Sequence, residues 1–190
     1  MNMTQQALYD TNTAQVLQWQ DTQRFSYASP PSTAKTIAVT PDEWANQSGE
    51  WWVVNGALTQ TNPNAPTAAQ LLAQAQASQI ATLRQSYGAA IQQAVSYTSK
   101  GGVTKTYQAD PQSVANLTQM LLAFQAAAAT PSGFYWVSLD NTQVPFTYAD
   151  MQGLAAAFGA QGAAAFQHLQ TLKAEVMAAT SVSAVQAIVW

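Results

Sequence analysis

The segment "TNPNAPT", residues 61–67, constrains the chain more than any other stretch. Two prolines within four residues cannot lie inside a helix or a central strand. Composition also changes across the segment: Trp, Val, Thr and Pro dominate before it, Ala, Gln and Leu after it. Residues 63–67 therefore read as a linker between two units. The expected fold class is α+β, a small β-rich module over 1–62 followed by a mainly helical domain over 68–190. A chain of 190 residues is long enough for both.

Within the first unit, "QVLQW" (15–19) alternates polar and apolar residues, the period of a half-buried strand. "KTIAVT" (35–40) is a second strand candidate. Thr40 is placed to cap, and Pro41 to occupy the first position, of one short helical turn in "PDEWANQ". "EWWVVNGALTQT" reads as a hairpin, because Asn55-Gly56 suits the positive φ angles of a type I′ turn. A core this small needs its aromatics (Tyr9, Trp19, Phe25, Tyr27, Trp44, Trp51, Trp52) to supply much of the burial.

The second unit opens with Thr67 to Gln70, a T-x-x-Q capping box. A long helix is expected from there to about Thr98, with Leu72, Ile80, Leu83, Tyr87, Ile91 and Val95 as its apolar stripe and "SKGG" (99–102) as its end. "VTKTYQAD" (103–110) reads as a strand. Asp110-Pro111 starts a helix with Val114, Leu117, Leu121 and Phe124 on its apolar face. Residues 134–147 read as a hairpin turning at Asp140-Asn141. Thr147 and Asp150 form a second capping box, opening a helix to about Ala179. Its expected buried stripe is Leu154, Phe158, Phe166, Leu169, Leu172 and Val176, with a kink or close helix crossing at Gly159 and Gly162. Thr180-Ser181 caps a last short helix, after which Trp190 packs back on the domain.

Few residues offer chemistry. Cys is absent, so thiol nucleophiles and thiolate metal sites are excluded. His168 is the only imidazole, and neither a metal site nor a general base is assembled around it by the sequence. Asp110 and Asp150 are explained by caps, Asp140 by a turn, Asp42-Glu43 by a helix start and Glu50 by a surface loop. There is no G-x-S-x-G, glycine-rich phosphate loop or H-E-x-x-H. No catalytic residue, cofactor or metal is expected, and the protein reads as no enzyme.

Only 8% of residues are charged, against about 25% in an average globular protein. The net charge of -3 and the scattered basic residues give no field to attract nucleic acid or anionic lipid. No apolar run is long enough to span a bilayer, and the first residues lack the pattern of a secretory signal, so synthesis in the cytoplasm is the expectation. Low charge and abundant Ala and Gln suit a chain that spends its life against other protein. The Ala-rich helices also leave a homo-oligomer open. Adjacent strand positions face opposite sides, so one of Trp51 and Trp52 is core and the other is free. Trp19, Trp44, Trp51 and Trp52 are the candidate partner-binding residues. Glycan stacking is the lesser alternative, with Glu50 and Asn55 as available polar groups.

Several parts taken in order carry a resemblance. Over residues 70–190 these are "LRQSYGAAIQQAVSYTSKGGVTKTYQADPQSVANLTQML", "FYWVSLDNTQVPFTYADMQGLAAAF" and "LKAEVMAATSVSAVQAIVW". The order resembles an uncharacterised domain of tail-associated proteins in bacteriophages and prophages. The first unit, with "IAVTPDEW" and a following hairpin, resembles the opening of phage tail fibre assembly proteins. The close at Trp190 lacks the basic "K-x-Y-R" tail of those chaperones. The resemblance implies a tail fibre assembly chaperone or fibre-tip cap, with a phage tail fibre or baseplate protein as partner. The alternative it implies is a structural component of the fibre or baseplate. The expected location is the host cytoplasm during assembly, followed by release or retention in the virion tail.

Overall fold

A computed structural model describes residues 4–190 of the chain. The fold is α+β, and the chain divides into two compact units with the boundary between Thr67 and Ala68.

The first unit is built on a three-stranded antiparallel sheet, with β1 (Gln5–Asp10) between β2 (Val16–Asp21) and β3 (Ala34–Ala38). β2 and β3 fall where the alternation placed them, whereas β1 was not foreseen. Its sequence, "QQALYD", puts the adjacent residues Ala7 and Leu8 on opposite faces, both buried, so apolar residues do not alternate with polar ones. The β1–β2 register slips between Leu8 and Tyr9, which leaves Leu17 without a partner and 51% exposed. The Asp10 carboxylate accepts from Asn12 N, Thr13 N and Thr33 Oγ1, tying the β1–β2 turn to the approach of β3.

One helical turn follows, α1 (Pro41–Ala45), with Thr40 and Glu43 closing a capping box. β4 (Trp52–Val54) and β5 (Ala57–Thr59) then form the expected hairpin. Asn55 and Gly56 have φ of 52° and 75°, which fixes the turn. The hairpin is stitched to the sheet where Val16 N donates to Trp51 O and Val53 N to Ala14 O.

The second unit holds α2 (Ala68–Ala90), α3 (Pro111–Phe124), α4 (Tyr148–Ala178) and α5 (Val182–Gln186). The caps at Asp110, Thr147 and Ser181 are formed as expected. α2 is shorter than expected. It ends at Ala90, and Ile91 and Val95 lie beyond it. Their four-residue spacing is shared by chance with the helix stripe. "VSYT" is instead β6 (Val95–Thr98), paired with β7 (Thr104–Tyr107). "SKGG" turns that hairpin: Gly102 takes φ 80° and donates to Ser99 O, so it closes a strand pair and not a helix.

A second hairpin, β8 (Tyr135–Val137) with β9 (Gln143–Pro145), turns at Asp140-Asn141, where Asn141 takes φ 60°. The two hairpins are joined by Leu139 N donating to Thr106 O and by Lys105 Nζ, 2.6 Å from Asp140 Oδ2.

Helices α2 and α4 run antiparallel. Tyr87 packs edge-on to Phe166, and each helix end is held by a glutamine of the other. Gln76 Nε2 donates to Val176 O and Ala179 O, while Gln161 Nε2 donates to Ala90 O and Gln93 O. These amides satisfy carbonyls that a helix end leaves unpaired. In a chain poor in charge, Gln does here what Lys or Arg does elsewhere.

α4 spans two hydrophobic cores. Its first half contributes Met151 and Leu154 to a cluster with Tyr107, Leu117, Val144 and Phe146. Its second half contributes Leu169, Leu172 and Val176 to a cluster with Leu83 and Val185. Phe166, expected in the buried stripe, is 51% exposed.

The close approach on α4 occurs at Gly153, not at Gly159 or Gly162. A Cβ at Gly153 would meet Tyr97 Cε2 at 2.7 Å and Cζ at 2.8 Å. Tyr97 has little room to yield, because it packs against Tyr107 and Phe146. Gly153→Ala is therefore expected to lower stability by about 1–2 kcal/mol, overpacking outweighing the gain in helix propensity. A thermal melt of the variant checks this. At Gly159 and Gly162 an added Cβ meets nothing within 4 Å. Gly159→Ala and Gly162→Ala should each raise stability by about 0.5–1 kcal/mol, read in the same melt.

Candidate functional site

Three of the four singled-out tryptophans form one cluster. Trp19 is on β2, Trp44 on α1, and Trp51 lies just before β4. The Trp19 ring stands edge-to-face with Trp44 at 6.3 Å and with Trp51 at 5.7 Å. Such perpendicular pairs contribute about 0.5–1.5 kcal/mol each beyond area burial. All three indoles are half-buried.

The sheet register explains the arrangement. Ala7 of β1 lies opposite Trp19 on one side and Ile37 on the other, so the three share one face. Ala7 is fully buried, and its small side chain leaves room for the indole. The capping box of α1 places Trp44 against Trp19, and Trp51 Nε1 donates to Asn46 O at 3.2 Å.

Trp52 does not join the cluster. It is 6% exposed on β4, beside Val53 at 8%. Adjacent strand positions face opposite sides, so the hairpin is covered on both. Trp52 is a core residue, which removes it from the partner-binding set and leaves Trp51 as the accessible member of the pair.

Several titratable groups are engaged locally. Asp140 is held below the usual carboxylate range by Lys105, then by Ser138 and Thr142. Asp110 is lowered by its cap bonds to Ser113. Burial pushes Asp150 up, but hydrogen bonds from Thr147, Lys100 N and Tyr97 outweigh it and the net shift is downward. Burial, then the Asp150 charge, raises the Tyr97 hydroxyl. His168 is exposed and packs edge-on against Trp190 at 4.8 Å, so the last residue does fold back on the unit. Among the described residues, no three His, Asp or Glu side chains come together as a metal site would require. No helix of the described residues is long and apolar enough to cross a membrane.

The second unit carries a feature the sequence reading missed, an apolar cleft of about 640 Å³. Tyr87, Ile91, Val114, Leu117 and Phe158 line it, with Gly159 and Gly162 among its walls. It falls at the seam between the two cores. "GAQGAAA" (159–165) supplies no large side chain to fill that seam. The signal was present in those small residues, of which Gly159 and Gly162 suggested a kink or close helix crossing.

Fold and surface together define a two-unit α+β protein, with an aromatic surface on a β-rich unit and a helical unit built along one long helix. The chain belongs to the family described as "Domain of unknown function (DUF4376)", whose model matches residues 73–189. The match falls within the second unit, and the indole cluster lies outside it. No curated protein and no solved structure matches the chain.

Proposed function

We propose that the protein is a tail fibre assembly chaperone or fibre-tip cap of a bacteriophage, acting by protein–protein binding without catalysis. The observation that carries this reading is the half-buried cluster of Trp19, Trp44 and Trp51 on a sheet whose outer strand, β3, is an edge. Indoles that keep one side accessible are favoured anchors at protein interfaces. An edge strand offers backbone donors and acceptors to an incoming strand. A trimeric, β-rich fibre exposes both kinds of need while it folds slowly. The order of sequence segments resembling tail-associated proteins supplies the phage context. Residues 1–67 are then the partner-binding unit.

The indoles suit a glycan less well. Sugar binding pairs a stacked ring with polar side chains that bond the hydroxyls, and Trp51 Nε1 is already engaged by the backbone at Asn46 O. A permanent place in the virion is the second reading. The apolar cleft favours it, since a lasting partner would cover such a surface. Mass spectrometry of purified particles separates the two. Absence from the particle is expected for a chaperone that dissociates, and a few copies per particle for a cap. A copy number matching a repeating fibre or baseplate subunit would overturn the chaperone reading.

A further inference from the structure

The charges of the chain are unevenly divided. Residues 1–67 hold five carboxylates (Asp10, Asp21, Asp42, Glu43, Glu50) against two cations (Arg24, Lys35), while residues 68–190 hold four of each. The whole net charge of -3 therefore sits on the unit that bears the indole cluster. Among the described residues, that unit's one ion pair is Arg24 with Asp21, at 3.8 Å. Among the described residues, no cation lies within ion-pair reach of Asp42, Glu43 or Glu50, which flank Trp44 and Trp51 in the chain. Asp42 and Glu50 are exposed.

We infer that the indole cluster docks an arginine-bearing segment of its protein partner. The guanidinium is planar and weakly hydrated. It stacks on indole faces and still offers N–H groups to carboxylates, here Asp42 and Glu50, the chain neighbours of Trp44 and Trp51. A lysine ammonium fits the charge but not the stacking. An acidic segment is repelled by both the local carboxylates and the unit's net charge. The inference rests on the protein-binding reading above and adds the chemistry of the partner.

The test is a tryptophan-fluorescence titration of the full chain with acetylated triarginine amide, trilysine amide and triglutamate amide at low salt. Triarginine is expected to change the emission saturably and trilysine several-fold more weakly. Triglutamate should have no effect. In the double variant Asp42→Asn, Glu50→Gln, which spares the Glu43 cap, triarginine binding should weaken at least threefold. Raising salt to 0.5 M should weaken it in the intact chain. No response to triarginine, an equal response to triglutamate, or an unchanged affinity in the double variant would overturn the inference. A response to a neutral oligosaccharide in place of triarginine would also overturn it, by assigning the face to a glycan. These results leave the assembly reading standing if the chain still solubilises a fibre protein, so the two ideas fail separately.

Discussion

Trp52→Ala is expected to unfold the first unit while leaving the second intact. Trp52 is 6% exposed and begins the hairpin strand bonded to the start of β2. Removing a buried Trp side chain typically costs about 3–5 kcal/mol. A unit of residues 1–67 has a total stability on the order of 3–10 kcal/mol, so the loss consumes most of it. Limited proteolysis should then cut within residues 1–67. The far-ultraviolet helix signal should persist, because α2 through α5 all lie beyond Thr67. Trp51→Ala removes one edge contact to Trp19 and one bond to Asn46 O. Its cost should stay near 1–2 kcal/mol, leaving the unit folded. A protease-resistant Trp52→Ala protein would show that the indole is not a core element.

Asp150→Ala should be the most damaging single change among the polar residues of the second unit. Asp150 is 1% exposed. Its carboxylate accepts from Thr147 N at 2.8 Å, Thr147 Oγ1 at 2.6 Å, Lys100 N at 2.6 Å and Tyr97 Oη at 3.3 Å. It thus closes the capping box of α4 and pins the β6–β7 turn to that helix. Losing these bonds is expected to cost about 2–3 kcal/mol and to lower Tm by roughly 6–10 °C. The pH dependence has a definite sign. The folded carboxyl titrates below its ordinary value, which is near 3.9 in an unfolded chain. Its contribution is complete above about pH 4 and is lost as pH falls through the folded value. The gap in Tm between the intact protein and Asp150→Ala should therefore be constant near neutrality and narrow below pH 4. Asp110 and Asp140 shift in the same direction, so both proteins lose stability in acid and only the gap isolates Asp150.

Much of this structure was legible where a local rule decides the outcome. The caps at Thr40, Asp110 and Thr147 follow from side chains that bond their own backbone. The Asn55-Gly56 turn follows from positive φ, and the connector from two prolines. What was not legible depends on partners distant in sequence. β1 is a strand because β2 and β3 cover both its edges. α2 stops at Ala90 although apolar residues continue at helical spacing, because β6 pairs with β7 and Gln161 receives the helix end. Gly153 rather than Gly159 is the close approach because Tyr97 reaches it from another element. The candidate surface was half legible. Chain alternation separates Trp51 from Trp52, but only the tertiary fold brings Trp19 and Trp44 against Trp51 and buries Trp52.

The central claim is that the indole face covers a fibre while it assembles. The direct measurement is the yield of soluble, trimeric tail fibre protein from the same genome, co-expressed with the intact chain, with no chain, and with the folded variant Trp51→Ala. The account predicts high yield with the intact chain and a loss of at least several-fold without it, with Trp51→Ala close to the level without it. Equal yields of soluble trimer in all three would contradict it.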